Sequence, residues 1–223
     1  MLRERKDYPT AVTPRGPLIW PALNEPDFKF KKEFGEYHAR LRLSPDTPGL
    51  DELLATAETI LDEAFEAKKA ELTRQKKGAL LKELKKADIL KEEVDQETGD
   101  PTGFVILRAA ANAGGKKKNG ETFTKRPDYF DRRGKQIKNP PKIGGGSEVK
   151  LGVRIMDYET DGGKTIGVRF ELEGVQLLKV VEGGSRSADF YGFGEEDGDD
   201  IVDEPVNSGG FADESGADGD GDF

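Results

Sequence analysis

Between Pro101 and Lys150 the chain carries twelve Lys and Arg against four Asp and Glu, a local net charge of +8, in a protein whose overall net charge is −9. Aromatic residues are interleaved with these cations: Phe104, Phe123, Tyr129 and Phe130. Cations in such a run neutralise phosphates and release the counterions condensed on them. Flat rings among them offer stacking surfaces to unpaired bases, at about 1–3 kcal/mol per base. The chemistry this pattern can do is recognition of a single-stranded polyanion with little sequence preference. The phosphate-tracking candidates are Lys116, Lys117 and Lys118 in GGKKKNG, then Lys125, Arg126, Arg132 and Arg133. The outward faces of two alternating strands add Arg40, Arg42, Lys150 and Arg154. Tyr129 and Tyr158 are the stacking candidates, with Trp20 and Phe28 beside them. Phe104, Phe130 and Phe170 sit in apolar strands and read equally well as core.

Bond-making chemistry has little to work with. There is no cysteine, so no disulfide, thiolate metal site or thiol nucleophile. The one histidine, His38, excludes multi-histidine metal sites and reads as a surface strand residue. No Walker loop, HExxH or GxSxG is present. The triplet Gly144–Gly146 before Ser147 has the look of a phosphate nest but lacks a following helix, and reads better as a tight entry into a strand. The expectation is a non-enzymatic protein with no cofactor and no bound metal. No apolar run is long enough for a bilayer, and no signal-peptide pattern opens the sequence. A soluble intracellular protein is expected.

The elements that must position these residues follow from periodicity. Five prolines in residues 1–35 forbid a helix there and leave LIW (18–20) and FKF (28–30) as short edge strands. EYHARLRL (36–43) alternates, with Tyr37, Ala39, Leu41 and Leu43 on the inner face. SPDTPG is a turn in which Thr47 caps a helix that begins at Pro48. Leu50, Leu53, Leu54, Ala57, Ile60, Leu61, Ala64 and Phe65 fall on one face of that helix, which runs to about residue 75. A second, charged helix is expected over 79–94. Strands follow at 103–111, in 122–131, at 148–158 and at 165–181, with GGKKKNG as a flexible loop, RRGK and ETDGGK as turns, and a bulge at Gly174. Five or six strands with one helical insertion over about 48–94 fit a small closed barrel.

The last twenty-nine residues, Glu195–Phe223, hold twelve Asp and Glu and no Lys or Arg. Too little apolar surface is present there to offset ordering, so a mobile acidic tail is expected. Without it, the 35 basic residues face 32 acidic ones, a net of +3. The expected organisation is an extended arm (1–16), a barrel domain (17–194) and the tail (195–223). A polyanion tethered to a basic body can compete for the surface that binds another polyanion.

Several segments in order resemble the single-stranded DNA-binding protein family of bacteriophage T7 and related phages. They are a strand ending in SPDTPG before a long helix, PPKIGGGSEVKLGVRI, the closing strand VRFELEGVQLLKVV, and a tail ending in DGDF. The resemblance covers most of residues 17–223. It implies an OB-fold that coats single-stranded DNA in phage replication and recombination, in the cytoplasm of an infected bacterium. It also implies that the tail, through Asp218, Asp220, Asp222 and Phe223, contacts the replicative DNA polymerase and the helicase-primase. A homodimer with exchanged tails is compatible with it. The rival readings are an acidic-tailed interaction or chaperone-like protein that ignores DNA, and a carboxylate-dependent nuclease.

Overall fold

In a computed structural model of the chain, residues 4–29 and 33–182 are described. The elements run β1 (Thr10–Val12), β2 (Gly16–Pro17), β3 (Ala22–Asp27), β4 (Glu36–Leu43), α1 (Leu50–Arg74), α2 (Gly78–Glu83), β5 (Lys85–Lys86), β6 (Lys91–Val94), β7 (Pro101–Asn112), β8 (Gly114–Lys116), β9 (Thr122–Thr124), β10 (Asp128–Phe130), β11 (Glu148–Thr160) and β12 (Thr165–Lys179).

One sheet path runs β1–β11–β12–β7–β4–β3. All its main pairings are antiparallel except β7 with β12, which is parallel at Ala109–Phe170 and Ala110–Glu171. The strip around Leu18 joins the two sides. Gly16 and Pro17 pair with Val149 and Glu148 of β11, while Leu18 bridges Leu41 and the Ile19 amide donates to the Arg40 carbonyl at 2.9 Å. Residues 16–19, β4, β7, β12 and β11 thereby close into a five-stranded barrel, which removes the open edges that a flat sheet would expose. The mainly β fold expected from the sequence is present.

Strand alternation builds the core. Ala39, Leu41 and Leu43 of β4, Leu107 and Ala109 of β7, Val149, Leu151, Val153 and Ile155 of β11, and Phe170, Leu172 and Val175 of β12 all point inward and are buried. The register of β11 on β12 shifts between Gly152 and Val153, beside Gly174, so the expected bulge is there. The helix α1 lays Leu50, Leu53, Ala57, Ile60 and Leu61 against this core. Each large side chain buried in this way contributes about 1.5–3 kcal/mol.

Several local expectations are corrected. Thr47 does not cap α1. Gly49 holds the N-cap position at φ 83°, a left-handed conformation that suits glycine, and the Thr47 carbonyl instead accepts from the Leu50 amide at 3.0 Å. The helix expected over 79–94 stops at Glu83. Beyond it the chain becomes β5, which pairs with the start of β12, and β6, which pairs with β7 from Lys91–Ile106 to Val94–Pro101. The N-terminal half of β7 has an edge that β12 does not cover, and filling it satisfies backbone groups that helical propensity could not outbid. Of the expected strand at 18–20 only Leu18 pairs, through its bridge to Leu41; Phe28 and Lys29 lie beyond the end of β3 and are not in a strand, and residue 30 lies outside the described residues. Trp20, at φ 42°, turns the chain into β3. GGKKKNG is half strand: Gly114–Lys116 pair with Thr122–Thr124, and Gly120 at φ 86° closes a tight hairpin.

Candidate nucleic-acid interface

The outer face of β4 and β7 is built by register. Residues directly opposite in an antiparallel pair share a face, and here Glu36 faces Asn112, His38 faces Ala110, Arg40 faces Arg108 and Arg42 faces Ile106. Two arginines thus stand directly across from each other, an arrangement that is unfavourable for the free protein. Neither is cancelled from between. Arg108 reaches along its strand to an ion pair with Glu36, and Arg40 forms no ion pair with any described residue. Arg42 is engaged: Glu93 of β6 lies 2.9 Å from its guanidinium, which also stacks 3.6 Å above the Phe104 ring. Arg108 escaped the sequence reading because it lies in the apolar run FVILRAAAN. The signal was its alternation with Phe104, Ile106 and Ala110 on the outward side of β7.

His38 corrects its sequence assignment. It is buried at 7 % exposure on this face, with Nε2 3.4 Å from Asp27 of β3 and Nδ1 enclosed without a partner among the described residues. Burial pushes its pKa below the ordinary 6.5, helped by Arg40 and Arg108 and opposed by Asp27.

Aromatic rings border the face. Trp20 is 61 % exposed at the edge of β4, one residue beyond the Ile19–Arg40 hydrogen bond. Phe28 is 55 % exposed and Phe123 is 39 % exposed. Glycines seat these rings. Any Cβ added at Gly35 would come within 3.0 Å of the Phe28 ring, and at Gly115 within 3.0 Å of the Phe123 ring. At Gly114 it would meet the Phe34 ring at 3.0 Å and the Phe123 carbonyl oxygen at 2.5 Å. The segment after β3 and the β8–β9 hairpin therefore form one aromatic lip, tied by the Ala113 amide donating to the Gly35 carbonyl at 3.0 Å. Lys116 joins it through Glu33 at 2.7 Å, and Lys117 is held by Glu121 at 3.0 Å. Lys118, Arg132, Arg133 and Lys150 form no ion pair among the described residues, and the first three are exposed. Arg126 donates to the Lys138 carbonyl at 2.5 Å.

Four predicted residues belong elsewhere. Tyr129 is a core residue at 2 % exposure, and its hydroxyl donates to the Leu23 carbonyl. Burial pushes its ionisation far upward, and a ring so enclosed has no face to offer a base. Tyr158 packs across Gly167 of β12, in the crevice beside α1 that Ala64, Ala67 and Lys68 line. In the sheet, β12 and β7 stand between it and β4. Arg154 is spent on structure, 2.9 Å from Glu173 and donating to the Tyr8 carbonyl at 2.8 Å. Lys125 pairs with Glu171 at 3.1 Å, where Arg5 also binds at 2.9 Å. Burial works against the Glu171 charge, but hydrogen bonds from Lys125 and Arg5 outweigh it and hold the carboxyl below its ordinary value. The glycine triplet is no phosphate nest. The Gly144 and Gly146 amides donate to the Val181 and Leu18 carbonyls, and the Ser147 hydroxyl ties to Val181. Asp218, Asp220, Asp222 and Phe223 lie outside the described residues.

A five-stranded barrel with a parallel closing pair, a cationic outer face on adjacent strands and a ring-edged lip is an oligonucleotide-binding architecture, the OB-fold. The chain belongs to the family of the single-stranded DNA-binding protein of bacteriophage T7, whose model matches residues 17–180. Among solved structures, gp2.5, the single-stranded DNA-binding protein encoded by bacteriophage T7, is similar with a TM-score of 0.62 at 20 % identity, over 87 % of this chain and 100 % of that one. The single-stranded DNA-binding protein of bacteriophage Enc34 in complex with ssDNA aligns with a TM-score of 0.47 at 22 % identity, over 79 % of this chain and 89 % of that one. No curated protein sequence matches.

Proposed function

We propose that this protein binds single-stranded DNA through the outer face of β4 and β7, with weak sequence preference, and coats it during phage replication and recombination. The observation that carries the reading is the Arg40–Arg108 pair. Two like charges held directly opposite one another, beside the exposed Trp20, are best relieved by a ligand that is itself anionic. A phosphate between them neutralises both, and bases on either side of it can reach the rings of Trp20, Phe28 and Phe123. Lys118 of the β8–β9 hairpin extends the track for further phosphates, whereas Arg132, Arg133 and Lys150 lie on the β11–β12 side and would serve a strand that wraps past β12.

The acidic segment 195–223 is assigned two roles in this proposal. It competes with DNA for the cationic face, and its end, Asp218 to Phe223, recruits the replicative polymerase and the helicase-primase in the bacterial cytoplasm. Exchange of that segment between two copies would give a dimer. The test is titration of a labelled dT oligonucleotide and of a matching duplex across a salt series, with the full chain and with a chain lacking 195–223. Preference for the single strand, weakening steeply with salt and tightening on truncation, is the expected outcome. Equal binding of both forms would refute single-strand recognition. Unchanged affinity after truncation would refute tail competition, and no binding in either form would favour a protein that engages only basic partners.

A further inference from the structure

At the mouth of the barrel, at the root of the β8–β9 hairpin, lies a recess of about 270 Å³. This is a little smaller than the roughly 300–1,000 Å³ of pockets that take drug-sized ligands, and suits one flat heterocycle. Its walls differ from the open face of β4 and β7. Ala111 and Leu172 contribute apolar surface and Tyr37, half-buried, contributes an aromatic ring. Of the polar rim, Arg5, Lys125 and Glu173 are already engaged in ion pairs, which leaves Asn112, Asp128 and Arg126.

These three groups retain unused hydrogen-bonding capacity. The Asn112 side chain is exposed and makes no hydrogen bond with any described residue. An amide presents two donors and an acceptor, the set that reads a base edge bidentately. Asp128 accepts one bond, from the Gln136 amide at 3.2 Å, and an ionised carboxylate has about four acceptor sites. Arg126 spends one donor on the Lys138 carbonyl and has others of its five for a phosphate. Other carboxylates around the face, Glu36, Glu93, Glu33 and Glu121, are spent on Arg108, Arg42, Lys116 and Lys117, whereas Asp128 forms no ion pair among the described residues, and an unpaired carboxylate repels phosphates. It becomes favourable only where a base edge, and not the backbone, faces it. The Asp128 backbone is held in place, since β10 pairs with β12 in parallel register at Asp128–Gly174 and Tyr129–Val175, and its exposed side chain stands at the rim.

We infer that this recess is a subsite for a single unstacked base bearing an exocyclic amino group, which Asp128 accepts from and Asn112 reads, while Arg126 holds the adjoining phosphate. The inference rests on the proposed binding of single-stranded DNA and adds to it a base preference at one position. Cytosine offers its N4 amino group to a carboxylate, whereas thymine has a carbonyl at that place.

The experiment compares dC and dT oligonucleotides of equal length, bound to the full chain at one salt concentration, for the native protein, Asp128→Asn and Asn112→Ala. Both polymers are pyrimidines, so the ratio of their affinities cancels stacking on the lip and any uniform effect of removing a negative charge. The expected result is that Asp128→Asn lowers the dC-to-dT affinity ratio about fivefold and that Asn112→Ala moves it in the same direction. A urea midpoint for each variant guards against loss of fold, and Asn112→Ala, an exposed truncation, supplies the reading if Asp128→Asn unfolds. A ratio unchanged in both variants while both polymers still bind would overturn the subsite and leave the single-strand reading standing. Failure of the native chain to bind either polymer would overturn that reading, and the subsite with it.

Discussion

The outer face of β4 and β7 and the outer face of β11 and β12 both carry cations at outward-facing positions. In the first, Arg40 and Arg108 confront each other, and the carboxylates nearby, Glu36 and Glu93, sit at the ends of the row on Arg108 and Arg42. In the second, Arg154 stands opposite Glu171 and bonds Glu173, and Arg5 and Lys125 arrive from other parts of the chain to pair with the same two carboxylates, while Lys150 and Arg169 toward its ends form no ion pair among the described residues. One face keeps an electrostatic deficit that a ligand can relieve. The other uses its charges to fasten the N-terminal turn at Arg5–Asp7 onto the barrel. Alternation along a strand measures where a charge points. Whether that charge is available depends on what folds over it.

That contrast can be broken most forcefully with Arg40→Ala and Arg108→Ala combined. Each change is expected to lower affinity for single-stranded DNA about tenfold at low salt and to reduce the slope of log affinity against log salt by about 1, while the urea midpoint holds steady or rises as the repulsion is removed. A full-affinity double variant would place the interface elsewhere. Arg154→Ala should do the reverse: about 2 kcal/mol of stability lost in urea denaturation, from a guanidinium only 16 % exposed that leaves Glu173 and the Tyr8 carbonyl without it, and a DNA affinity within about twofold of native.

The two kinds of aromatic position sharpen the comparison further. Trp20→Ala is expected to weaken binding by about 1–3 kcal/mol with little change in stability, since the ring is exposed. Tyr129→Phe deletes only the bond to the Leu23 carbonyl and should cost about 1 kcal/mol of stability with affinity intact. Weakened DNA binding by Tyr129→Phe would mean that the barrel opens there.

The smallest effect concerns His38. Its pKa is lower in the folded state than in the unfolded one, so the unfolded chain takes up the proton first as pH falls. Stability is therefore full above about pH 6.5 and declines below it, by at most about 1.4 kcal/mol per pH unit for one proton. His38→Gln should flatten thermal midpoints between pH 7 and pH 5. A native profile already flat there would mean that the folded and unfolded chains take up the proton alike.

The long, strongly periodic elements were legible in advance. β4, α1, β11 and β12 appear where alternation or the 3.6-residue period put them, because one face of each must be apolar to be buried. The charged stretch 79–94 was misread because its helical propensity had no apolar stripe behind it and a vacant edge on β7 was waiting. The arginines of β4 and the glycine-flanked lysines were named from type and spacing, and the structure places them on the outer face of β4 and in the β8–β9 hairpin and its tip. Arg108 was hidden by its apolar neighbours, and Tyr129 was placed outside because a Tyr in a basic stretch looks the same whether it stacks on a base or plugs a barrel.

By itself, the sequence determined a mainly β body with one amphipathic helix, a basic middle, an acidic end, and a composition without the residues for thiol or multi-histidine chemistry. These are local or additive properties, set by periodicity and by counting. The tertiary structure alone decided which cations have partners and which rings have an open face. Both depend on residues distant in sequence: Arg5 meets Glu171, Glu93 meets Arg42, and Leu23 receives the Tyr129 hydroxyl. A charge is silenced, or left for a ligand, by contacts that no short window of sequence contains.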